Sequence, residues 1–287
     1  MSLTAVNGLL SKRPSGRLNF ELGRPEVALY LDPVPYRVRA ILDGETVVDS
    51  LGAFLLHETG RLPVFYFPPD DVRRDLLHPS GSRSQTDTKG TCELWALRVG
   101  ERAVPDAAWS YTDLPDSAAF LRGLVAFDFG AIDEWFCEDE QLLGHPRDPY
   151  SRIDVWRTSR RVRVSLDGEQ LAETQRASAL FETGLPPRYY IPPEDVRSEL
   201  LEPSSHRTRC AYKGSASYWS VRVGDRVVED LVWAYLDPEH DAEPIRDLYC
   251  FFNERVDLEV DGRPLERPRT QWSRDEAPDR SREHAST

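Results

Sequence analysis

The chain matches itself at a fixed offset, and this constrains its fold more than any other feature. Leu42-Asp43-Gly44-Glu45 returns as Leu166-Asp167-Gly168-Glu169, and Pro68-Pro69-Asp70-Asp71-Val72-Arg73 returns as Pro192-Pro193-Glu194-Asp195-Val196-Arg197. Pro79-Ser80, Lys89-Gly90, Val99-Gly100, Trp109 and Tyr111 recur at the same spacing as Pro203-Ser204, Lys213-Gly214, Val223-Gly224, Trp233 and Tyr235. From Val38 to Asp113, roughly 35 of about 76 positions are identical without a gap. The period far exceeds the roughly 20–50 residues of solenoid or propeller units, so what is duplicated is a whole domain. This predicts a first domain over 17–143, a second over 144–265, and a charged tail over 266–287 poor in aliphatic residues and expected to be disordered. The joint falls at the proline-interrupted segment 144–149. Domains duplicated within one chain often keep the contact of an ancestral homodimer, so the expectation is a monomer built as an internal pseudo-dimer.

Local patterns within each copy are mostly those of strands. Val162 to Leu166 alternates and runs into Asp167-Gly168, a hairpin-turn pair. Ala216 to Val223 alternates with Ser217, Trp219, Val221 and Val223 on one face and Tyr218, Ser220 and Arg222 on the other. Gly224-Asp225 turns the chain back into Val227 to Tyr235, where Leu231, Trp233 and Tyr235 share a face. The Pro192-Pro193 pair, acidic Glu194 and Asp195, and the Val196/Leu200 spacing predict one helix ending by Pro203. A short helix or strand is expected around Ile245 to Phe252. The class is mainly β with short helices.

Composition removes several functions. Acidic residues outnumber basic ones, 49 to 36, for a net charge of −13. Such a surface repels a phosphate backbone and argues against nucleic-acid binding. No apolar run approaches the roughly 20 residues of a membrane span. The first 16 residues do not read as a signal peptide. Cys92, Cys137, Cys210 and Cys250 are scattered, which points to reduced thiols and a cytoplasmic protein. The isolated histidines offer no metal-ligand spacing, and no cofactor motif is present.

The sharpest chemical signal is lysine. Only Lys12, Lys89 and Lys213 occur among the 36 basic residues, yet two of them stand at equivalent positions, each before glycine. An ammonium is compact and flexible where a guanidinium is a planar fork, so this selection points to a specific role. Lys213 is either an anion-binding charge or an anchor that fastens a loop to the sheet. Arg207, with its counterpart Arg83, lies in the same polar segment and suits a carboxylate or phosphate. Tyr212, Tyr218 and Tyr235 crowd Lys213 as pocket walls or core, with Tyr111 the counterpart of Tyr235. Cys210 is a thiol among cations, with Thr86 in its place in the first copy.

The order Pro-Pro-x-Asp-Val-Arg, Leu-Leu-x-Pro-Ser, Lys-Gly and Trp-x-Tyr resembles a bacterial family, the domain of unknown function 427, also classed as nucleotidyltransferase-like. The second copy carries the fuller pattern, from Arg207 to Tyr218 and then Trp233-Ala234-Tyr235. In the first copy Thr86, Thr88 and Leu94 replace Cys210, Tyr212 and Tyr218. The resemblance implies two compact β-tent domains of the Mss4-like kind. No Gly-Ser followed by paired aspartates and no Walker loop accompanies it, so it implies no assigned reaction. Two readings therefore stand. In one, the second domain binds a small anionic ligand through Lys213 and Arg207, with group transfer left open. In the other, the protein is a non-enzymatic protein-interaction module whose Lys and Arg are purely structural, its β units holding a protein partner by their edges and faces.

Overall fold

The computed structural model describes residues 25–273 and, before them, 3–4, 8–11, 16–21 and 23. The chain divides into two compact units, Met1–Ser151 and Arg152–Thr287. The 144–151 segment thus belongs by its contacts to the first unit.

In the first unit the strands are β1 (Leu29–Pro33), β2 (Val38–Leu42), β3 (Glu45–Ser50), β4 (Phe54–Glu58), β5 (Val64–Phe67), β6 (Leu77–Thr86), β7 (Gly90–Val99), β8 (Arg102–Thr112), β9 (Val125–Phe127), β10 (Glu134–Cys137) and β11 (Glu140–Gln141). Those of the second are β12 (Ile153–Arg157), β13 (Val162–Leu166), β14 (Glu169–Thr174), β15 (Ser178–Glu182), β16 (Arg188–Ile191), β17 (Leu201–Cys210), β18 (Gly214–Val223), β19 (Arg226–Asp237), β20 (Tyr249–Phe251), β21 (Asp257–Val260) and β22 (Arg263–Leu265). Each unit holds a seven-stranded sheet, ordered β1-β4-β5-β9-β8-β7-β6 and β12-β15-β16-β20-β19-β18-β17. Each also holds a four-stranded sheet, β11-β10-β2-β3 and β14-β13-β21-β22. Every described strand pairing is antiparallel, and the two strand orders coincide, as duplication requires. The protein is mainly β, in two similar sets of sheets.

Side-chain alternation explains why the larger sheet is buried on both faces. Leu55, Phe65 and Phe67 point into a core shared with Val38, Ala40 and Leu42 of the smaller sheet. Their neighbours Leu56 and Tyr66 point the other way, onto Ala118 and Leu121 of the 3-10 segment Asp116–Leu121. The second unit repeats this, with Ile191 and Phe251 in one core and Leu180, Tyr190 and Cys250 packed beneath Ala242 and Ile245 of His240–Ile245.

Three expectations change. The segment 192–203 is not an α-helix. It forms two 3-10 turns, Pro193–Asp195 and Ser198–Leu200, parted by extended Val196. Val196 bridges Ala172 and the amide of Arg197 donates to the carbonyl of Leu171 at 2.9 Å, so pairing to a strand replaces the intrahelical bonds. Leu231 does not share a face with Trp233 and Tyr235. The β18/β19 register shifts between Trp219 and Val221, sending Leu231 into the inter-sheet core while Trp233 and Tyr235 lie on the opposite face. The start of the tail is ordered rather than disordered. The Trp272 ring lies 5.6 Å from the Arg188 guanidinium, and Thr270 donates to Glu254 at 2.7 Å. Residues 274–287 lie outside the described residues.

The glycine of each Lys-Gly pair is fixed by backbone geometry. Gly90 has φ +75°, and a Cβ there would come within 2.5 Å of the Asp113 carbonyl oxygen; at Gly214, with φ +90°, it would come within 2.9 Å of the Asp237 carbonyl oxygen. At the hairpin position Gly44 nothing lies near. Gly90→Ala and Gly214→Ala should each cost about 2–4 kcal/mol in urea unfolding, against about 1 kcal/mol for Gly44→Ala. Equal losses at all three sites would show that the close approach carries no energy.

Candidate functional site

The site begins with strand ends. Lys213 sits in the turn between β17 and β18, and Glu182 ends β15. The Lys213 ammonium donates to the Glu182 carboxylate, both side chains only about a tenth exposed. The first unit repeats the pair, with Lys89 Nζ 2.5 Å from Glu58 Oε2. The Lys89 ammonium also lies 5.2 Å from the centre of the Tyr111 ring, a cation–π distance.

Around Lys213 the structure gathers most of the residues singled out from sequence. Tyr212, Tyr218 and Tyr235 are buried. Tyr218 shares a 2.8 Å hydrogen bond with the Thr208 hydroxyl, and its ring lies 4.6 Å from that of His206. Trp233 donates through its indole N–H to the Tyr190 hydroxyl at 3.1 Å, as Trp109 does to Tyr66 in the first unit. Burial pushes the Tyr235 hydroxyl well above its ordinary pKa, and Cys210, Tyr218 and Glu182 nearby add to the shift. Tyr190 moves the same way for the same main reason. Burial also pushes the Cys250 thiol up to about 12. These groups therefore hold their protons at neutral pH, and none of the three is a ready base or nucleophile.

Arg207 does not join them. Alternation along β17 exposes Arg207 and Arg209 while Thr208 and Cys210 are half-buried. The Arg207 guanidinium folds back on the carbonyls of Ser204 at 2.8 Å and His206 at 2.6 Å. Arg83 is likewise exposed, paired with Glu93 at 3.1 Å. Among the described residues no three His, Cys, Asp or Glu side chains gather to hold a metal ion.

Two buried polar clusters escape the motif-based reading. In the second unit Arg188 makes a bidentate pair with Glu254, at 2.7 and 2.6 Å, beneath Trp233, Phe252 and Trp272. Burial opposes ionisation of Glu254, but hydrogen bonds from Arg188 and Thr270 outweigh it and hold the carboxyl below the usual range. In the first unit His57 is fully buried between the rings of Tyr30 and Tyr150, and neither ring nitrogen has a hydrogen-bond partner among the described residues. Asp148 stands 4.0 Å from Nδ1, and Asp32 accepts from both tyrosines at 3.1 and 2.9 Å. Glu58 and Glu182 had a usable signal, because Glu-Thr-Gly recurs at 58–60 and 182–184. Arg188, Glu254 and His57 had none, since Val64, Gly130 and Phe181 stand at their matching positions.

With this geometry repeated in both units, the comparison with known families is decisive. A family model described as domain of unknown function (DUF427) matches residues 30–138 and again 154–262. The chain belongs to the DUF427 family, as a tandem repeat of its domain. No curated protein matches it. No helix among the described residues is long and apolar enough to cross a membrane.

His57 gives this DUF427 protein a pH dependence of calculable sign. Burial lowers its pKa against the opposing pull of Asp148. The unfolded chain, with a histidine pKa of about 6.5, then takes up a proton before the folded chain does. His57 should thus destabilise the first unit as pH falls below about 6.5. His57→Phe, the residue of the second copy, should flatten the melting profile below about pH 6.5. An unchanged slope would assign the acid sensitivity to other groups.

Proposed function

We propose that this DUF427 tandem acts by binding rather than by turnover, as a non-enzymatic module in which both Lys-Gly loops are structural. The observation that carries this reading is the recurrence of one buried Lys–Glu pair in both units, although the tyrosines around Lys213 are replaced by Thr88 and Leu94 around Lys89. A ligand-binding lysine would lose its reason to persist once its pocket walls changed, whereas an internal ion pair keeps its reason. Chemistry supports the same reading, since the buried tyrosines and Cys250 stay protonated and the lysine is engaged by a carboxylate. The alternative, a small anion held by Lys213 and Arg207 together, needs Lys213 to leave Glu182 and Arg207 to cross from the other side of its strand. The cysteines are all free, which supports a reducing compartment such as the cytoplasm.

Removing one partner of a buried pair leaves an uncompensated charge, a loss of about 3–5 kcal/mol. Lys213→Met and Lys89→Met should each lower the stability of their own unit by about 3 kcal/mol, at the low end because the pairs keep slight solvent contact. The double change Lys213→Met/Glu182→Leu should recover most of that loss, since an apolar pair of similar volume is often nearly neutral. Thermal melts of the four proteins test this. A Lys213→Met protein that melts like the parent would return Lys213 to the list of functional groups.

A further inference from the structure

The duplication supplies an internal control for every surface. One cleft of the first unit is lined by residues that the second unit replaces. It has a volume of about 800 Å³, and its lining includes Trp95, Ser110, Val125, Arg74 and Arg122. That volume falls within the roughly 300–1,000 Å³ usual for small-molecule sites.

Four differences from the second unit bear on it. At the position of Val125 the second unit has Tyr249, whose ring stands edge-on against Trp219 with centroids 4.9 Å apart. The first copy lacks that ring beside the matching Trp95. At the position of Ala119 the second unit has Glu243, which holds Arg246 through 2.9 and 2.8 Å bonds. Arg122, the counterpart of Arg246, has lost that carboxylate and is exposed. Ser198 becomes Arg74, a second exposed cation. Neither Arg74 nor Arg122 has a side-chain hydrogen bond or ion pair among the described residues. Finally Ala234 becomes Ser110, whose hydroxyl accepts from the Trp95 indole N–H at 3.2 Å and fixes the ring. The cleft also contains Asp75 and Asp113. Asp75 is neutralised by a bidentate bond to Arg73 at 2.9 and 2.8 Å, and Asp113 accepts from Thr91 at 3.3 Å.

We propose that this cleft is a binding site for a small molecule carrying an anionic group on a flat aromatic ring. The indole of Trp95, oriented by Ser110, supplies the stacking face. Arg74 and Arg122 supply planar, donor-rich cations suited to a carboxylate or a phosphate. In a chain with a strong excess of acidic residues, two arginines that are unpaired among the described residues and line one cleft are what a bound anion would complete. The proposal rests on the reading of the protein as a binder and assigns that binding a place and a ligand class.

Calorimetric titration of the full chain tests it with 1-naphthyl phosphate and indole-3-acetate, beside their neutral partners 1-naphthol and indole-3-acetamide. At least one anionic probe should bind more tightly than its neutral partner, and the arm that binds separates phosphate from carboxylate. Ala119→Glu, which restores the partner of Arg122, and Arg74→Ser should each weaken the anionic probe about tenfold, the scale of one charge-assisted hydrogen bond. Val125→Tyr should abolish binding of both kinds of probe. Arg74 is exposed and Ala119 is half-buried on a 3-10 segment, so Arg74→Ser and Ala119→Glu report on the cleft even if Val125→Tyr fails to fold. Absence of binding by both anionic probes, or binding that all three substitutions leave unchanged, overturns the assignment. Release of 1-naphthol from the phosphate, lost in Ala119→Glu, would overturn the binding-only reading and leave the cleft as the site.

Discussion

The long sheet of each unit is organised by an ion pair between strands that strand order keeps apart. Lys89 leads into β7 and Glu58 ends β4, yet β5, β9 and β8 lie between these strands. In a flat sheet, four steps at the usual spacing would part them by roughly 19 Å. A lysine and a glutamate reaching toward each other cannot span that distance. The pair therefore requires the β6–β7 turn that carries Lys89 and the end of β4 to be brought together out of a flat sheet. Tyr66 of β5 and Trp109 of β8 both stand opposite Ala126 of β9, and over that small residue they join by a hydrogen bond. Gly90 and Gly214 complete the arrangement by letting the turn approach the carbonyls at the end of β8 or β19.

Differences between the copies carry as much information as their identities. Residues of the frame, the Lys–Glu pair and the Trp–Tyr bond, are the same in both. Residues that decide what each unit offers to solvent or buries beneath its trailing segment have diverged in groups. Val125, Ala119, Arg74 and Ser110 changed around one cleft. Arg188, Asn253 and Glu254 form a charged cluster where the first copy has Val64, Phe129 and Gly130. The two units therefore share one frame and differ in groups of neighbouring residues.

Much of the frame was legible in the sequence because it is local. Strand alternation, Asp-Gly hairpins and the exact repeat spacing led to two mainly β units with matching strand orders. The helix read into 192–203 failed because Val196 finds a strand partner in Ala172, a contact across the fold that propensity cannot register. The same limit explains the site. Lysine scarcity marked Lys89 and Lys213, but their carboxylates lie 31 residues away in each copy, so the loop alone left an anion site and a structural anchor both open. Alternation could have separated Arg207 from Thr208 and Cys210, had β17 been recognised as a strand despite Pro203.

The trailing segments have a consequence for dissecting the chain. Pro146 and His145 border the same small cavity as Trp109 and Trp135, and Tyr150 reaches Asp32, so the first sheet is completed by residues beyond its last strand. In the second unit Trp272 roofs the Arg188–Glu254 pair and Thr270 bonds it, also beyond the last strand. Excision at the end of β11 or β22 would unroof aromatic rings in one case and hydrate a charged pair in the other. Each unit's packing therefore extends past its last strand, and each carries its own strap at its C-terminal end.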